Sequence, residues 1–398
     1  MATSKDSATQ TLDDLLHQAL TQGASDVHLE SGEGFFRARF RIDGLLRVAA
    51  TPPLSLRDAV VSRIKVLARM DIAEKRLPQD GRIQYPHLNQ LIDLRVSSLP
   101  TLHGEKIVLR ILNFSRERPS LTALGYEPDD RGKLVNAMNQ PHGLILMTGP
   151  TGSGKTLSLF GCLELLNRTE INISTVEDPT EIHLPGANQV SLNERAGLTF
   201  ASSLRALLRQ DPDVIMVGEI RDVETAEIAI QAAQTGHLVL STLHTNDAPG
   251  TLARLRHMGI AAFNVAASVR LITAQCLVRR LCELCKRSID NQEINFFFKN
   301  LSLQDSQAIA SQEYGHATAY RAMGCEHCDR GYKGRIGLYQ VMPVSDALQA
   351  LILRDSNTQA LAAQAAREGV RTLRQAGWLK VLQGITSIEE VMAMTRHG

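Results

Sequence analysis

The 398-residue sequence carries almost no net charge. Lysine and arginine together number 43 against 42 for aspartate and glutamate, which gives a formal net charge of +1. A protein that holds nucleic acid by displacing counterions needs a surplus of positive charge. The balance of charges therefore argues against nucleic acid as a partner.

Long hydrophobic runs are also missing. The first residues, MATSKDSATQTLDD, lack the apolar stretch of a secretory signal. No segment approaches the roughly 18 to 20 uncharged apolar residues that cross a bilayer. We therefore expect a cytoplasmic protein whose association with a membrane is only peripheral.

Cysteine is scarce, and most of it falls in two short motifs. Four of the six cysteines form two CxxC pairs, Cys282 with Cys285 and Cys325 with Cys328. In a reducing cytosol such pairs favour metal binding over disulfide formation. Four thiolates complete a closed, structural, tetrahedral zinc site. Free or redox-active thiols are the alternative.

Residues 286–324 separate the two pairs, a longer gap than is usual in zinc ribbons. Basic side chains flank both pairs and would offset the negative charge of a zinc–thiolate centre. They are Arg279, Arg280, Lys286, Arg287, Arg330 and Lys333. The two remaining cysteines, Cys162 and Cys276, are expected to be buried.

The length exceeds what one hydrophobic core covers, so two to three domains are expected. Residues 1–113 combine helical spacing with alternating strand patterns, among them FFRARFRIDGLLRVA, which surrounds an Asp43-Gly44 turn. We assign them to a small α+β domain. Residues 114–128 are rich in turn-forming residues and are assigned to a linker.

In residues 129–274, short apolar runs alternate with helical patterns. This order is typical of an α/β fold with a mainly parallel sheet flanked by helices. Residues 275–340 hold the cysteine pairs and are assigned to a zinc module. Residues 341–398 are dense in alanine and leucine and are predicted to form a helical C-terminal region.

A phosphate-binding motif lies near the start of the α/β region. GPTGSGKT matches GxxxxGK[ST], with an apolar strand, 144–148, before it and a helical pattern after it. Its glycines permit a backbone curl whose amides face a phosphate, and the following helix adds its N-terminal dipole. Lys155 would reach the β- and γ-phosphates of ATP, and Thr156 would ligate Mg²⁺. The predicted nucleotide-binding residues are Gly149, Pro150, Thr151, Gly152, Ser153, Gly154, Lys155 and Thr156.

Two carboxylates end apolar strands further along the chain. Glu177, followed by Asp178, ends INISTV, and Glu219 follows DPDVIMVG. Such strand ends lie at the edge of an α/β sheet where ligands bind. One such carboxylate could merely cap a turn or a helix, but two favour catalysis. His237 and His244 bracket a third strand, in TGHLVLSTLHTND, although histidines of this kind are more often satisfied polar residues than catalysts.

Taken together, GPTGSGKT, TVEDPTE, DPDVIMVGEIRD and TGHLVLSTLHTND resemble, in order, the signature boxes of the ATPases of bacterial type II secretion and type IV pilus assembly. The resemblance extends from about Ala24 to the C-terminus. It implies a RecA-like P-loop NTPase core, a PAS-like N-terminal domain and a homo-hexameric ring. It makes Glu177 the general base for the attacking water and Glu219 the Walker B glutamate near Mg²⁺. It gives His237 and His244 the role of sensing the γ-phosphate.

The resemblance also points to arginines of the N-terminal domain. Arg82, in QDGR, and Arg95 and Arg110, in DLRVSSLPTLHGEKIVLR, match family segments whose arginines close on the nucleotide. Such side chains would neutralise the charge that develops on the γ-phosphoryl oxygens. Arg82 and Arg95 are the preferred pair. Arg39 and Arg41 are instead expected to be solvated or salt-bridged surface residues.

The implied function is that of a Mg-ATP hydrolysing motor that powers assembly of a pilus or pseudopilus fibre through an inner-membrane platform protein. Paired CxxC knuckles are typical of the secretion and assembly branches and not of the retraction branch. A pilus-retraction or conjugation ATPase is the alternative, followed by a nucleic-acid translocase and by a nucleotide-sensing ring protein that does not hydrolyse ATP. The implied cofactors are ATP, Mg²⁺ and structural Zn²⁺.

Many family members carry a further N-terminal domain ahead of the segment that resembles ASDVHLE. That domain docks them to the platform or binds a regulatory nucleotide. Here 23 residues precede the segment, so we expect contact with the platform to run through the remaining domains. The same difference argues against regulation by a cyclic dinucleotide.

Overall fold

The computed structural model describes residues 4–88, 90–112, 120–193, 196–290 and 318–395. Part of the predicted linker, 114–119, and most of the polar insert between the cysteine pairs, 291–317, lie outside the described residues. The chain divides into two compact units, an N-terminal unit, Met1–Arg116, and a C-terminal unit, Glu117–Gly398.

The described residues of the N-terminal unit form an antiparallel sheet with helices. The elements are α1 (Ser4–Thr21), β1 (Asp26–Gly32), β2 (Phe35–Ile42), β3 (Leu45–Ala50), a 3₁₀ turn (Leu54–Leu56), α2 (Arg57–Leu67), β4 (Gln79–His87), β5 (Gln90–Thr101) and β6 (Gly104–Leu112). The strands pair in the order β3-β2-β1-β6-β5-β4, each antiparallel to its neighbour. The predicted α+β fold and the hairpin at Asp43-Gly44 are confirmed.

Alternation along these strands gives the sheet one apolar face. Val27 and Leu29 of β1 and Phe36 and Phe40 of β2 are at most 1% exposed and pack with Leu16 of α1 in one core. Successive side chains of a strand point to opposite faces. The charged residues between them therefore lie on the other face of the sheet.

The C-terminal unit is built around a second, larger sheet. Its elements are α3 (Leu121–Leu124), α4 (Pro128–Met138), β7 (Gly143–Thr148), α5 (Lys155–Leu166), β8 (Ile173–Glu177), β9 (Asn188–Ser191), α6 (Phe200–Leu207), β10 (Val214–Val217), α7 (Val223–Gln234), β11 (Leu238–Leu243), α8 (Ala248–His257), α9 (Ala262–Ser268), β12 (Val269–Leu281), β13 (Arg287–Ser288), β14 (Tyr320–Arg321), β15 (Tyr332–Pro343), α10 (Asp346–Leu353), α11 (Thr358–Arg367), α12 (Leu373–Leu382) and α13 (Ile388–Met394).

The strand order of this sheet is β15-β12-β7-β11-β10-β8-β9. Neighbouring strands run parallel except for the antiparallel pair of β12 and β15. β13 and β14 form a separate two-stranded ribbon. The predicted α/β fold with a mainly parallel sheet is confirmed.

Strand β7 is buried on both faces of the sheet, which explains its apolar sequence. Leu144 and Leu146 pack into the core on one face of the sheet, and Ile145 and Met147 pack into a second core on the other face. A strand that is covered by helices on both faces has no solvent-exposed side, so its sequence does not alternate between apolar and polar residues. The continuous run GLILMT therefore indicates a central strand of a covered sheet.

The structure divides the sequence differently from the prediction at two places. Residues 275–281 and 332–340, assigned to the zinc module, belong to the core strands β12 and β15. They are apolar enough to extend the buried sheet, with Val278 and Leu338 each 1% exposed. Within the predicted linker, α3 forms because the Ser120 hydroxyl caps it by accepting a hydrogen bond from an amide of its first turn.

The C-terminal helices fold back onto the rest of this unit. Trp378 of α12 is completely buried. Lys380 of the same helix lies 2.6 Å from Glu127, next to α4, and Arg371 lies 2.8 Å from the buried Asp130 of α4. α12 and the residues before it are thereby tied to α4. Among the described helices, none combines the length and the apolar character needed to traverse a lipid bilayer.

A buried ion pair in the N-terminal unit joins α2 to the hairpin of β5 and β6. The Lys65 side chain is 1% exposed, and its Nζ lies 2.5 Å from Glu105 Oε1. The Ser98 hydroxyl donates to the same oxygen at 2.6 Å. Lys65 also donates to the Glu74 carbonyl at 2.7 Å. The network fixes the loop that leads into β4 and its Arg82.

Removing one member of this pair should destabilise the N-terminal unit. Glu105→Ala leaves a buried ammonium group without its partner, so we expect the free energy of unfolding to fall by about 3 to 5 kcal/mol. The double variant Lys65→Met/Glu105→Leu buries no charge and should recover most of the loss. Urea denaturation measures the change, and hydrogen exchange of the β6 amides localises it. Equal losses in both variants would contradict this interpretation.

Candidate functional site

The glycine-rich loop connects β7 to α5, as its motif predicts. The backbone φ angles of Gly149, Gly152 and Gly154 are 147°, 79° and 87°, in the region that favours glycine. A Cβ atom at Gly149 would lie 2.2 Å from the Gln275 carbonyl oxygen. The curl of the loop therefore requires glycine at these positions, and a side chain at Gly149 would collide with β12.

Lys155 lies across the loop that precedes it. Its Nζ donates to the carbonyl oxygens of Gly149, at 2.7 Å, and Pro150, at 3.2 Å. Burial lowers the pKa of Lys155, while the charge of Glu219 acts in the opposite direction. Lys155 is also the first residue of α5, where the helix dipole favours anions. Loop, cation and helix N-terminus together form a site suited to phosphate.

Glu177 is the last residue of β8 and is only 5% exposed. Burial raises the pKa of its carboxyl, although hydrogen bonds partly offset the effect. The Thr175 hydroxyl donates to Glu177 Oε1 at 2.7 Å, and the Gln189 amide donates to it at 3.2 Å. A buried carboxylate with a raised pKa and a fixed orientation is suited to accept a proton.

Glu219 follows the end of β10 at the same edge of the sheet. Burial opposes the ionisation of Glu219, but the Arg221 guanidinium, which is hydrogen-bonded to it, and His244 outweigh that effect and lower its pKa. His244 Nε2 lies 3.4 Å from Glu219 Oε2, and Arg221 also lies 3.6 Å from Asp178. Arg221 therefore links the two strand-end carboxylate segments.

The structure separates the two histidines that the resemblance grouped together. β11 runs parallel to β7, with Leu243 opposite Thr148 and Leu238 opposite Gly143. His244 therefore lies at the edge that carries the glycine-rich loop. His237 lies at the other edge, about 20 Å away along a six-residue strand, and its Nδ1 is 3.0 Å from the Ala232 carbonyl. The structure brings only His244 to the loop.

The three arginines singled out in the N-terminal unit form a row across its sheet. Arg82 of β4 pairs with Arg95 of β5, which pairs with Arg110 of β6. Directly opposed residues project to the same face. Arg110 Nε also contacts Asp26 Oδ1 at 2.9 Å. The row therefore presents three guanidinium groups on the charged face of this sheet.

Arg39 and Arg41 lie on the same charged face and are salt-bridged. Arg39 Nη2 is 2.6 Å from Glu30 Oε1, and Arg41 Nε is 3.7 Å from Asp26 Oδ2. This agrees with the expectation of salt-bridged surface residues. Sequence reasoning did not find the acidic partners, because the register of β1 against β2 brings them into reach.

The four cysteines of the CxxC pairs come together in one cluster. Cys282 follows the end of β12 directly, and the second pair precedes β15. The Sγ atoms of Cys282 and Cys325 are 3.9 Å apart, and those of Cys285 and Cys328 are 3.6 Å apart. All four sulfurs lie within 4.8 Å of one another. Metal–sulfur bonds of about 2.3 Å in a tetrahedron place sulfurs about 3.8 Å apart, so the cluster fits a metal ion.

Sequence reasoning missed two residues at the sheet edge. Arg221 gave no signal beyond its place two residues after Glu219. Gln275 stands in the apolar run LITAQCLV, where a buried polar side chain is itself a signal that it has a partner. The structure provides that partner, because Gln275 Nε2 donates to the Ser153 carbonyl in the glycine-rich loop at 2.8 Å.

A glycine-rich loop between a buried parallel strand and a helix, with carboxylates at the ends of neighbouring strands, defines the C-terminal unit as a P-loop NTPase fold. The chain belongs to the family described as "Type II/IV secretion system protein", whose model matches residues 2–393. The predicted family is thereby confirmed.

The relatives agree with this assignment. The chain is 52% identical over 382 residues to the type IV pilus assembly ATPase PilB of Acinetobacter baylyi, a match that covers 96% of this chain and 65% of that protein. It is 45% identical over 384 residues to the type II secretion system ATPase E of Vibrio cholerae, covering 96% and 74%. The chain therefore spans just under two thirds of the length of that PilB.

A solved structure shares the fold. The crystal structure of the pilus retraction motor PilT with bound ADP matches with a TM-score of 0.64 and 25% sequence identity, and the match covers 96% of both chains. The sequence identity of this chain to PilT is about half its identity to the PilB assembly ATPase of Acinetobacter baylyi. The retraction motor is thus the more distant of the two in sequence.

Burial of Glu177 should make the stability of the chain depend on pH. Because its pKa is raised above the unfolded value of 4.5, the unfolded chain loses this proton first, and stability is lost as the pH rises through the folded-state pKa. Glu177→Gln should therefore melt at a higher temperature than the wild type at neutral pH. The difference should shrink as the pH falls toward 4.5. Thermal melts across this pH range measure the difference in melting temperature, and Glu227→Gln, at an exposed position, is the control. A difference that does not depend on pH would contradict the raised pKa of Glu177.

Proposed function

We propose that the chain is the core of a Mg-ATP hydrolysing motor that powers assembly of a pilus or pseudopilus fibre. The observation that carries this proposal is the meeting of a phosphate loop and two strand-end carboxylates, Glu177 and Glu219, at one edge of the sheet. A nucleotide-sensing protein without hydrolysis would need only the loop. Two carboxylates with opposite pKa shifts supply the groups that hydrolysis requires.

The phosphate groups of ATP would be held by the loop and the start of α5. The backbone amides of residues 149–154 and the Lys155 ammonium would bind the β- and γ-phosphates. Thr156 would hold Mg²⁺ near Glu219, and when bound this ion neutralises charge on the phosphate oxygens. Binding of this kind positions the γ-phosphoryl group for attack.

Glu177 would accept the proton of the attacking water. Its raised pKa brings it closer to the pH of the cytoplasm than an exposed glutamate, which favours proton transfer. His244 contacts Glu219 and is proposed to respond to the γ-phosphate. His237 is left out of this part of the proposal, since it lies at the opposite edge of the sheet.

Arg82 and Arg95 are proposed to neutralise the charge that develops on the γ-phosphoryl oxygens. Their support is the row of guanidinium groups on the charged face of the N-terminal unit. Arginines that act from a separate unit make hydrolysis depend on closure, so the purified chain should turn over slowly. That dependence would couple hydrolysis to movement.

The cysteine cluster is proposed to hold structural Zn²⁺. Its four thiolates fill a tetrahedron and leave no position for substrate, so the ion would stabilise the loops and would not catalyse. Relatives named for pilus assembly and type II secretion are about half identical to the chain, which supports fibre assembly over retraction. We further propose a cytoplasmic homo-hexamer that attaches peripherally to an inner-membrane platform protein.

The proposed site predicts distinct defects in three variants. Lys155→Ala should abolish MgATP-dependent turnover, because it removes the cation beside the phosphates. Glu177→Gln should bind nucleotide normally and lower kcat by roughly 10²- to 10⁴-fold, the usual contribution of a general base. Arg82→Ala should bind nucleotide and hydrolyse it slowly. Phosphate release measures turnover, and fluorescent nucleotide titration measures binding.

Glu227→Gln is the matched control, because Glu227 is an exposed glutamate of α7, and it should hydrolyse ATP like the wild type. Normal turnover in any of the three variants would remove that residue from the mechanism. Turnover that requires DNA would instead favour a nucleic-acid translocase.

The metal proposal is tested by composition. The purified chain should contain about one zinc per molecule. Cys325→Ser should lose most of the zinc and melt at a lower temperature, because structural zinc contributes to folding. Cys162→Ala alters a buried cysteine outside the cluster and should keep its zinc. Elemental analysis by mass spectrometry decides, and zinc-free wild-type protein would overturn the proposal.

A further inference from the structure

Gln275 occupies a position in the core sheet that touches the phosphate loop. It follows Ala274, the last residue of β12 to pair with β7, where Ala274 lies opposite Thr148. Gln275 is 1% exposed, and its Nε2 donates to the Ser153 carbonyl oxygen at 2.8 Å. A Cβ atom at Gly149 would meet the backbone carbonyl of Gln275. One residue of β12 therefore contacts both the beginning and the end of the loop.

A core-packing role does not account for a glutamine here. Within the described residues, its Oε1 is buried without a hydrogen-bond partner, which costs free energy that an apolar side chain of the same size would avoid. The orientation of the amide is determined by its partner, since the Ser153 carbonyl can only accept. The function of this side chain therefore lies in the Nε2 hydrogen bond to the loop.

That hydrogen bond fixes a peptide group that a phosphate needs. In a planar trans peptide the C=O and the N–H point in opposite directions. Because the Ser153 C=O points toward β12, the N–H of Gly154, in the same peptide, points away from β12. Amides that converge from one side of such a loop are the donors to a bound phosphate.

We infer that Gln275 is a positioning residue of the nucleotide site: it fixes the peptide between Ser153 and Gly154 so that the Gly154 amide is directed toward phosphate. The inference rests on the proposed function, in which this loop binds ATP. Gln275 does not contact the nucleotide itself. It acts through the loop, and its removal should weaken phosphate binding without removing any ligand group.

Two substitutions at Gln275 separate this role from packing. Gln275→Met keeps the size and removes the donor, and we expect the Kd for MgATP to rise by roughly five- to tenfold, the value of one buried hydrogen bond. Gln275→Glu places an acceptor against the Ser153 carbonyl and should weaken binding further. KM should rise in the Met variant with kcat little changed, since the lost interaction holds ground state and transition state alike. The melting temperature without nucleotide should stay near the wild-type value in the Met variant.

Gln340 provides the matched control. It lies on the neighbouring strand β15, opposite Ala274, is 6% exposed, and accepts from the Ala248 N–H, at the start of α8, at 2.9 Å. Gln340→Met removes a buried glutamine of the same sheet and should leave the Kd for MgATP unchanged. A loss of affinity in Gln275→Met alone supports the inference, whereas equal losses in both variants would assign the effect to the sheet and overturn it.

Lys155→Ala distinguishes failure of this inference from failure of the proposed function. If Lys155→Ala loses MgATP binding while Gln275→Met binds like the wild type, the nucleotide site stands and the positioning role of Gln275 is wrong. If the wild-type chain itself does not bind MgATP, both the proposed function and the inference fail. A fall in kcat with unchanged KM and Kd in Gln275→Met would indicate a loss of active protein and would also overturn the role.

Discussion

Parallel pairing of β7 with β11 and β12 determines where the functional groups of the C-terminal unit lie. Thr148, the last residue before the phosphate loop, lies opposite Leu243 on one side and Ala274 on the other. His244 follows Leu243, and Gln275 follows Ala274. These two residues therefore reach the loop at the same position along the strand direction. Hydrogen bonds between strands thus bring residues that are far apart in sequence together in one site.

The same constraint operates on the two acidic strand ends. β10 pairs with β8 so that Val217 lies opposite Val176, which sets Glu177 and Glu219 at one edge. Their environments then diverge. Glu177 is buried among hydroxyl and amide donors, whereas Glu219 is paired with a guanidinium and an imidazole. Two glutamates of identical chemistry acquire opposite pKa shifts, which suits one to take a proton and the other to stay ionised.

Features encoded over a few adjacent residues could be predicted from the sequence, and features that depend on register could not. The phosphate loop is one unbroken motif between a strand and a helix, so its place was predictable. The sequence pattern predicted that His237 and His244 lie near the two ends of one strand, but only the parallel pairing of β11 with β7 shows that the His244 end lies beside the phosphate loop. Arg221 and Gln275 were missed because only the folded sheet brings Asp178 close to Arg221 and the Ser153 carbonyl close to Gln275. Glu219, the other partner of Arg221, is the exception, since it is a near neighbour in sequence.

The two cysteine pairs, in contrast, were grouped correctly from the sequence, although the gap between them is longer than is usual in zinc ribbons. Residues 286–324 separate them in sequence, yet β12 and β15 are antiparallel neighbours, and Leu281 lies opposite Tyr332. The end of one strand and the beginning of the other must therefore meet. The distance between the pairs is determined by this pairing and not by the number of residues between them.

Strand β12 connects two sites of the C-terminal unit. It abuts the phosphate loop at Gln275 and stops at Leu281, directly before Cys282. It pairs with β15 from Leu271 to Arg279 and again at Leu281, with an irregularity between these two stretches. The strand therefore spans the roughly 20 Å between the phosphate loop and the first cysteine of the cluster. The phosphate loop and the tetracysteine cluster are thus joined by one continuous strand of the sheet, although they lie far apart in sequence.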